Sequence, residues 1–245
     1  MKNYRVDLHV HTVLSPCADL LMTPGNIIEK ALAENIDVLA ITDHNSAENV
    51  KIAMELAKNT SLHIIPAMEV ESIEEVHLLC YFQNINLLLD FQKEIYNALP
   101  DVENKEEVFG YQLLTDQNDE YKSKVNRLLA TAVNLNIQDV IDKVLSRNGL
   151  VIPSHIDRSY GLITNLGFLP PEIELNIMEI GKNSKVSRVK EKFPFLQEHS
   201  LIKNSDSHHL NDLKPYMELK MNEVNLLELK KAFQIQEGRN YSFLN

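Results

Sequence analysis

Asp7-Leu8-His9-Val10-His11-Thr12 lies close to the N-terminus and sets the reading of everything after it. Tyr4, Val6, Leu8 and Val10 are apolar and alternate with Asp7, His9 and His11. Successive side chains on a strand point to opposite faces, so the pattern predicts a strand with one apolar face and one face presenting Asp7, His9 and His11. For either histidine alone, a satisfied core position is the ordinary reading. Two neutral imidazoles two residues apart can hold one divalent ion of the Zn, Mn or Fe kind without backbone distortion, and the pair directs attention to further ligands.

The chain has 245 residues, 44% of them hydrophobic, which suits one α/β barrel as well as two small domains. With 24 Lys and Arg against 35 Asp and Glu, the formal charge of -11 disfavours a broad grip on nucleic-acid phosphates, and extended nucleic acid is not an expected partner. A small phosphorylated substrate would then need local positive charge, which bound metal would supply. Cys17 and Cys80 are too few for a disulfide framework. No secretory signal or membrane-length apolar run is visible, so the expectation is a cytoplasmic protein without membrane contact.

Along the chain, Thr23-Pro24 opens a helix containing Ile27, Ile28, Ala31 and Leu32. Asp37–Thr42 is an apolar run expected of a buried parallel strand, and it delivers Asp43 and His44. Leu62–Ala67 leads to Glu69, and Val76–Phe82 carries His77. Residues 84–149 offer no comparable strand and read as a helical excursion, acidic and mobile around Pro100–Asn118. Leu150–Pro153 runs into His155 and Arg158, Ile173–Ile180 is a further strand, and Leu201–Asn204 precedes Asp206 and His208. A helix is expected over about 224–233. Seven short strands separated mostly by helices predict a parallel α/β barrel or doubly wound sheet over one domain, 1–245. Six of the seven end in or carry His, Asp or Glu, and strand ends form the chemical rim of such barrels.

Collected, the candidates are His9, His11, His44, Glu69, His77, His155, Asp206 and His208, with Cys17 and Asp43 nearby; six of nine histidines belong to the set. Burying so many titratable groups without charge partners is costly, and metal removes that cost.

The segments DLHVHT, ITDHN, AMEVES, EVHLLCYF, IPSHIDR and NSDSHH resemble, in order, the motifs of the PHP (polymerase and histidinol phosphatase) superfamily. The resemblance implies a distorted seven-stranded (β/α)7 TIM-like barrel with up to three divalent ions (Zn, Mn or Fe) at its mouth. It makes His9, His11, Glu69 and Asp206 the ligands of one ion. Glu69 would bridge to a second ion on His77 and His155, and His44 and His208 would hold a third. Cys17 occupies the place of the third ion's last ligand, either as a thiolate ligand or as a buried thiol. Asp43 and Asp7 would support ligands from behind. Glu69, Asp206 and Arg158 are the candidate catalytic residues. Arg158 is either a bidentate phosphate clamp or a surface arginine, with Lys182 and Arg188 weaker candidates for the clamp. The implied activity is a metal-dependent phosphoesterase acting on a small phosphomonoester, of the histidinol phosphate or nucleotide kind. The alternatives are a C–N hydrolase on a similar barrel, a nuclease acting on phosphodiesters, and an accessory role. The late SDSH motif favours phosphate over the C–N bond.

Overall fold

A computed structural model describes residues 1–170, 173 and 175–244. The strands are β1 (Lys2–Val10), β2 (Val38–Ile41), β3 (His63–Glu71), β4 (His77–Tyr81), β5 (Leu113–Thr115), β6 (Tyr121–Lys124), β7 (Leu150–Pro153), β8 (Ile177–Glu179), β9 (Ser200–Ile202), β10 (Met217–Met221) and β11 (Asn240–Phe243). The helices are α1 (Pro24–Ala33), α2 (Val50–Ala57), α3 (Ile85–Ala98), α4 (Glu106–Phe109), α5 (Ile137–Leu145), α6 (Leu162–Leu166), α7 (Val186–Lys192) and α8 (Leu226–Phe233). Local signals fix several ends. Thr23 caps α1 ahead of Pro24, Asn136 and Asp139 close a capping box on α5, and the Asn225 side chain accepts from the Glu228 amide at the start of α8.

The main sheet has seven strands in the order β11-β10-β1-β2-β3-β4-β7. Only the β1–β2 and β2–β3 pairs are parallel; β4 runs antiparallel to β3 and β7, and β10 antiparallel to β1 and β11. The expected parallel (β/α)7 barrel is therefore corrected to a mixed, open sheet. The physical reason at β4 is the link: residues 72–76 are too few for a crossover, which needs about a dozen, so a hairpin forms. Glu75 takes a φ of 58° within it. Parallel β8 and β9 form a separate ladder, and among the described residues a single bridge, Val10–Ser207, joins this side to β1. The strand expected over Ile173–Ile180 shortens to β8, with residue 174 outside the described residues.

The sheet is curled nonetheless. Val6, Leu8, Val38, Ala40, Ile65, Ala67, Leu79, Tyr81, Ile152, Ile177 and Ile202 come from one face of eight strands with Met217, and they meet in one buried cluster. Leu229, Ala232 and Phe233 of α8 close its lower end. The opposite face, with Val10, Leu39, Ile41, Met68, Leu78, Cys80 and Val151, packs under the helices.

One departure in β1 decides the site. Val6 and Leu8 enter the interior cluster, whereas Val10 joins the outer one. Pairing with β2 shifts between Asp7–Leu39 and Val10–Ile41, so β1 carries an extra residue there. Such a bulge re-aims the side chains beyond it. His9 and His11 thus point inward on the face of Leu8, and Asp7, expected beside them, is left on the other.

Residues 84–149 hold α3, α4 and α5 but also the β5–β6 hairpin. Buried Gln112 accepts from the Leu129 amide and donates to the Val125 and Arg127 carbonyls. Asp119, at the hairpin tip, accepts from Thr23 and from the Gly25 and Asn26 amides of α1. These side-chain bonds tie the excursion to the body. Among the described residues, no helix is long and apolar enough to cross a membrane.

Phe233 is fully buried at the base of the interior cluster. Phe233→Ala is expected to destabilise the protein by about 3–5 kcal/mol, read as a lower urea midpoint at unchanged m-value; an unchanged midpoint would contradict the role given to α8.

Candidate metal centre

Four strands, β1, β2, β4 and β7, deliver five imidazoles to one carboxylate. Glu69 Oε1 lies 3.3 Å from His9 Nε2, 3.2 Å from His77 Nδ1 and 3.5 Å from His155 Nε2. Its Oε2 lies 3.4 Å from His11 Nε2 and 3.2 Å from His44 Nδ1. Ser154 donates a further bond to Oε1 at 2.8 Å. Asp206 Oδ1 approaches His9, His11 and His208 at 3.3, 3.5 and 3.6 Å. All eight of these histidine and acid candidates converge, most of them buried. A cleft of about 320 Å³ opens above them, bordered also by Arg158, Ser159 and Tyr160.

Backbone geometry that most residues avoid places two of them. His155 has a φ of 28° and Asp206 a φ of 47°. Such conformations cost about 1–3 kcal/mol each and persist where the surroundings enforce them. The turn that follows His155 depends on Gly161, where a Cβ would stand 2.4 Å from the His155 carbonyl oxygen.

Behind the cluster, a second layer fixes the rings. His9 Nδ1 is 3.0 Å from Glu179 Oε2, which also accepts from the His155 amide at 3.0 Å, while Asn204 donates to Glu179 Oε1 at 2.7 Å. His11 Nδ1 is 2.9 Å from Ser15 Oγ, whose hydroxyl donates to Asp43 at 2.7 Å. Asp43 also accepts from the amide and hydroxyl of Thr12. With both Nδ1 atoms donating, each Nε2 turns a lone pair toward the site.

Charge at the site is held in tension. Burial alone would lower the pKa of His9, but Glu179 and Glu69 outweigh it and raise it to about 10. His77 likewise rises against burial, to about 9, through Glu69 and Glu71. Burial would raise Glu69, yet His77 and His9 hold it well below the usual carboxylate range. Burial pushes His11, His155 and His208 down. The acids therefore demand positive charge, which protons on some imidazoles supply while others stay neutral.

The donor set fits divalent metal. The Nδ1 atom of His155 is buried without a hydrogen-bond partner, and those of His44 and His77 face Glu69 at 3.2 Å but outside hydrogen-bonding geometry. His9 Nε2 and His11 Nε2 stand 3.1 Å apart, the separation of two donors each about 2.1 Å from one ion. Three groups bring their donor atoms within 4.8 Å of one another: His9, His11 and Asp206; His44, Glu69 and His77; and His11, His44 and His208. Two of these groups keep together residues that the resemblance assigns to one ion, His9 with His11 and Asp206, and His44 with His208, while His44 also falls with Glu69 and His77. Cys17 belongs to none of them. It is exposed beside His44, so the buried-thiol reading is corrected. Arg158, 49% exposed, is ion-paired with Asp206 at the cleft. Asp7 lies behind the site, accepting from the Ser205 amide at 3.0 Å, and burial raises it to about 7. Glu179 escaped the sequence reading, although an acid at the end of a strand candidate was its available signal.

The family model described as the PHP domain matches residues 7–151. The 5′-3′ exoribonuclease Rnm of Salmonella typhimurium is 35% identical over 79 residues, which cover 31% of this chain and 26% of that protein. The match thus spans about a quarter of the relative's length. The lesion-specific endonuclease PfuEndoQ of Pyrococcus furiosus superposes with a TM-score of 0.74 at 18% identity, covering 98% of this chain and 58% of that one. A structure of Endonuclease Q with a 27-mer duplex substrate, an abasic lesion at the active site, gives 0.66 at 17% identity, with the same coverage of 98% and 58%. At these identities the likeness shows the fold. The expectation that net acidity disfavours extended nucleic acid is corrected by these relatives, which are an exoribonuclease and an endonuclease seen on a duplex. Physically, net charge averages the whole surface, whereas binding reads the charge at one face.

Glu179→Gln is expected to weaken metal binding about 10–100-fold in calorimetric titration, and unchanged affinity would free His9 from its dependence on Glu179. Protons on His9 and His77 compete with metal below about pH 10 and pH 9, respectively. Apparent affinity is therefore expected to rise with pH up to that range, with proton release on binding; affinity flat from pH 6 to 9 would contradict this charge balance.

Proposed function

The chain belongs to the PHP domain family, and on that premise we propose that it is a divalent-metal-dependent phosphoesterase that cleaves phosphodiester bonds of a nucleic acid strand. The observation carrying this reading is the convergence of five imidazoles on Glu69, beneath a cleft whose rim holds Arg158. The exoribonuclease relatives favour a diester over the small phosphomonoester that the motifs first brought forward.

His9, His11 and Asp206 would hold one ion and His44, Glu69 and His77 another, with His155 reaching Glu69 from the β7 side and His208 joining His11 and His44. Such ions supply a water that ionises near neutral pH and offset the charge of a bound phosphate. Glu69 also lies within 3.4 Å of His9 and His11 and would serve both ions, and the Ser154 hydroxyl donates to it. Glu179 and the Ser15–Asp43 pair keep His9 and His11 aimed inward. Arg158 shares its guanidinium with Asp206 and, half exposed, has donors left for a phosphate oxygen in the planar geometry that suits that group. Tyr160 stacks on His77 with ring centroids 4.9 Å apart and covers that side of the cleft.

The test uses metal-stripped protein restored separately with Zn, Mn and Fe, given labelled single-stranded 12-mers and, in parallel, p-nitrophenyl phosphate. Metal-dependent shortening of the oligonucleotide is expected, with Glu69→Gln slower by at least about 100-fold and Arg158→Ala raising KM more than it lowers kcat. Hydrolysis of the monoester with the 12-mers intact, or near-normal turnover by Glu69→Gln with its metals retained, would overturn the proposal.

A further inference from the structure

The densest run of cations in this acidic chain stands beside the cleft. From Lys182 to Lys192 there are five basic residues and one acid, Glu191. Lys185, the N-cap of α7, Arg188 and Lys192 follow one another at spacings of three and four, and buried Val189, four residues after Lys185 and three before Lys192, lines the same groove. Together with Asp157 and Phe193 they border a groove of about 330 Å³. Lys182 is paired with Asp212, and Lys190 donates to the Gln197 carbonyl. Among the described residues, no carboxylate pairs with Lys185, Arg188 or Lys192. Three cations bordering one groove repel each other, and a bound anion relieves that repulsion.

The acid in the groove is already engaged. Asp157 accepts from the Gly181 amide at 2.8 Å and from the Ser184 hydroxyl. Those bonds also join the loop after β8 to the loop after β7, so the groove is fastened to the turn that carries His155 and Arg158. Arg158 follows Asp157 directly and borders the catalytic cleft. Arg158 at the cleft and the cations of α7 thus flank the same turn, with Asp157 between them. Phe193 adds an aromatic face, and the Lys192 ammonium lies 4.9 Å from its ring centroid.

We infer that the α7 groove binds the phosphates of a single-stranded nucleic acid whose scissile bond lies in the cleft, an inference that rests on the nuclease reading above. Lys185 to Lys192 rise about 10 Å along the helix axis, which matches about three phosphates of a stacked strand. A positively charged track with an aromatic platform is the arrangement that holds single strands without sequence preference. The groove makes the enzyme sensitive to strand length: a dinucleotide fills the cleft alone, and a longer strand reaches α7.

The test is fluorescence anisotropy with Mn-loaded protein and labelled phosphorothioate oligothymidylates of 2 and 12 nucleotides, comparing wild type with Lys185→Ala/Arg188→Ala/Lys192→Ala. The wild type is expected to bind the 12-mer at least about tenfold more tightly than the 2-mer. The triple variant should lose that increment, keep its affinity for the 2-mer, and show a salt slope shallower by about 2. A variant that keeps the increment, or a wild type that binds both lengths equally, overturns the groove. Cleavage of natural 12-mers by the same preparations separates the two readings. Loss of the increment with no cleavage by any preparation leaves the groove standing and removes the nuclease function. Cleavage by both proteins with the increment intact does the reverse.

Discussion

A carboxylate buried among five imidazoles is the constraint on which this structure depends. Glu69 is 1% exposed and has Asp206, Glu71 and Glu179 close by, so several negative charges share an interior from which water is largely excluded. Burying an unpaired charge is among the largest costs a fold can carry. The imidazoles offset it only by keeping protons, and not all can: burial first, and neighbouring imidazoles after it, push His11 and His208 down. Divalent cations satisfy the acids and leave the imidazoles neutral as donors. The same arrangement is thus expensive as an apolar core and natural as a metal centre.

The fold meets that demand through local irregularities on a regular frame. The interior cluster fixes where the strand ends lie, and departures from strand geometry then aim the ligands. The extra residue in β1 brings His9 onto the face of Leu8, and left-handed φ values turn His155 and Asp206 into the site. The tight β3–β4 hairpin sets Glu71 opposite His77 in register, two residues beyond Glu69. Glu179, from the separate β8–β9 ladder, bonds to His9 of β1 and to the His155 amide, so side chains join regions that no continuous ladder joins. Structure around the centre is held as much by the site's own polar bonds as by the sheet.

Much of the site was legible because its residues sit at strand ends in short, ordered motifs. His9, His11, His44, Glu69, His77, His155, Asp206 and His208 are found within one cluster, as their residue types and placement led one to expect. Periodicity could not reveal the bulge in β1, since a single extra residue leaves the alternation of the sequence intact. The reversal of β4 was in principle readable from the five-residue link after Glu71. Glu179 was hidden because a lone acid in a strand reads as an ordinary solvent-facing residue. The small hairpin in 84–149 depends on Gln112 and Asp119, polar side chains whose partners lie far away in sequence. Net charge could not exclude a nucleic-acid partner because it averages over faces, and the cations from Lys185 to Lys192 border one groove.

The most direct measurement is anomalous diffraction from crystals of the protein grown with Mn and, separately, Zn. The account predicts peaks within about 2.0–2.3 Å of Glu69 or Asp206 oxygens and of the flanking imidazole nitrogens, with His9 still bonded to Glu179. Peaks confined to the surface, or a cluster that stays metal-free at saturating metal with Glu69 held by protonated imidazoles, would contradict it.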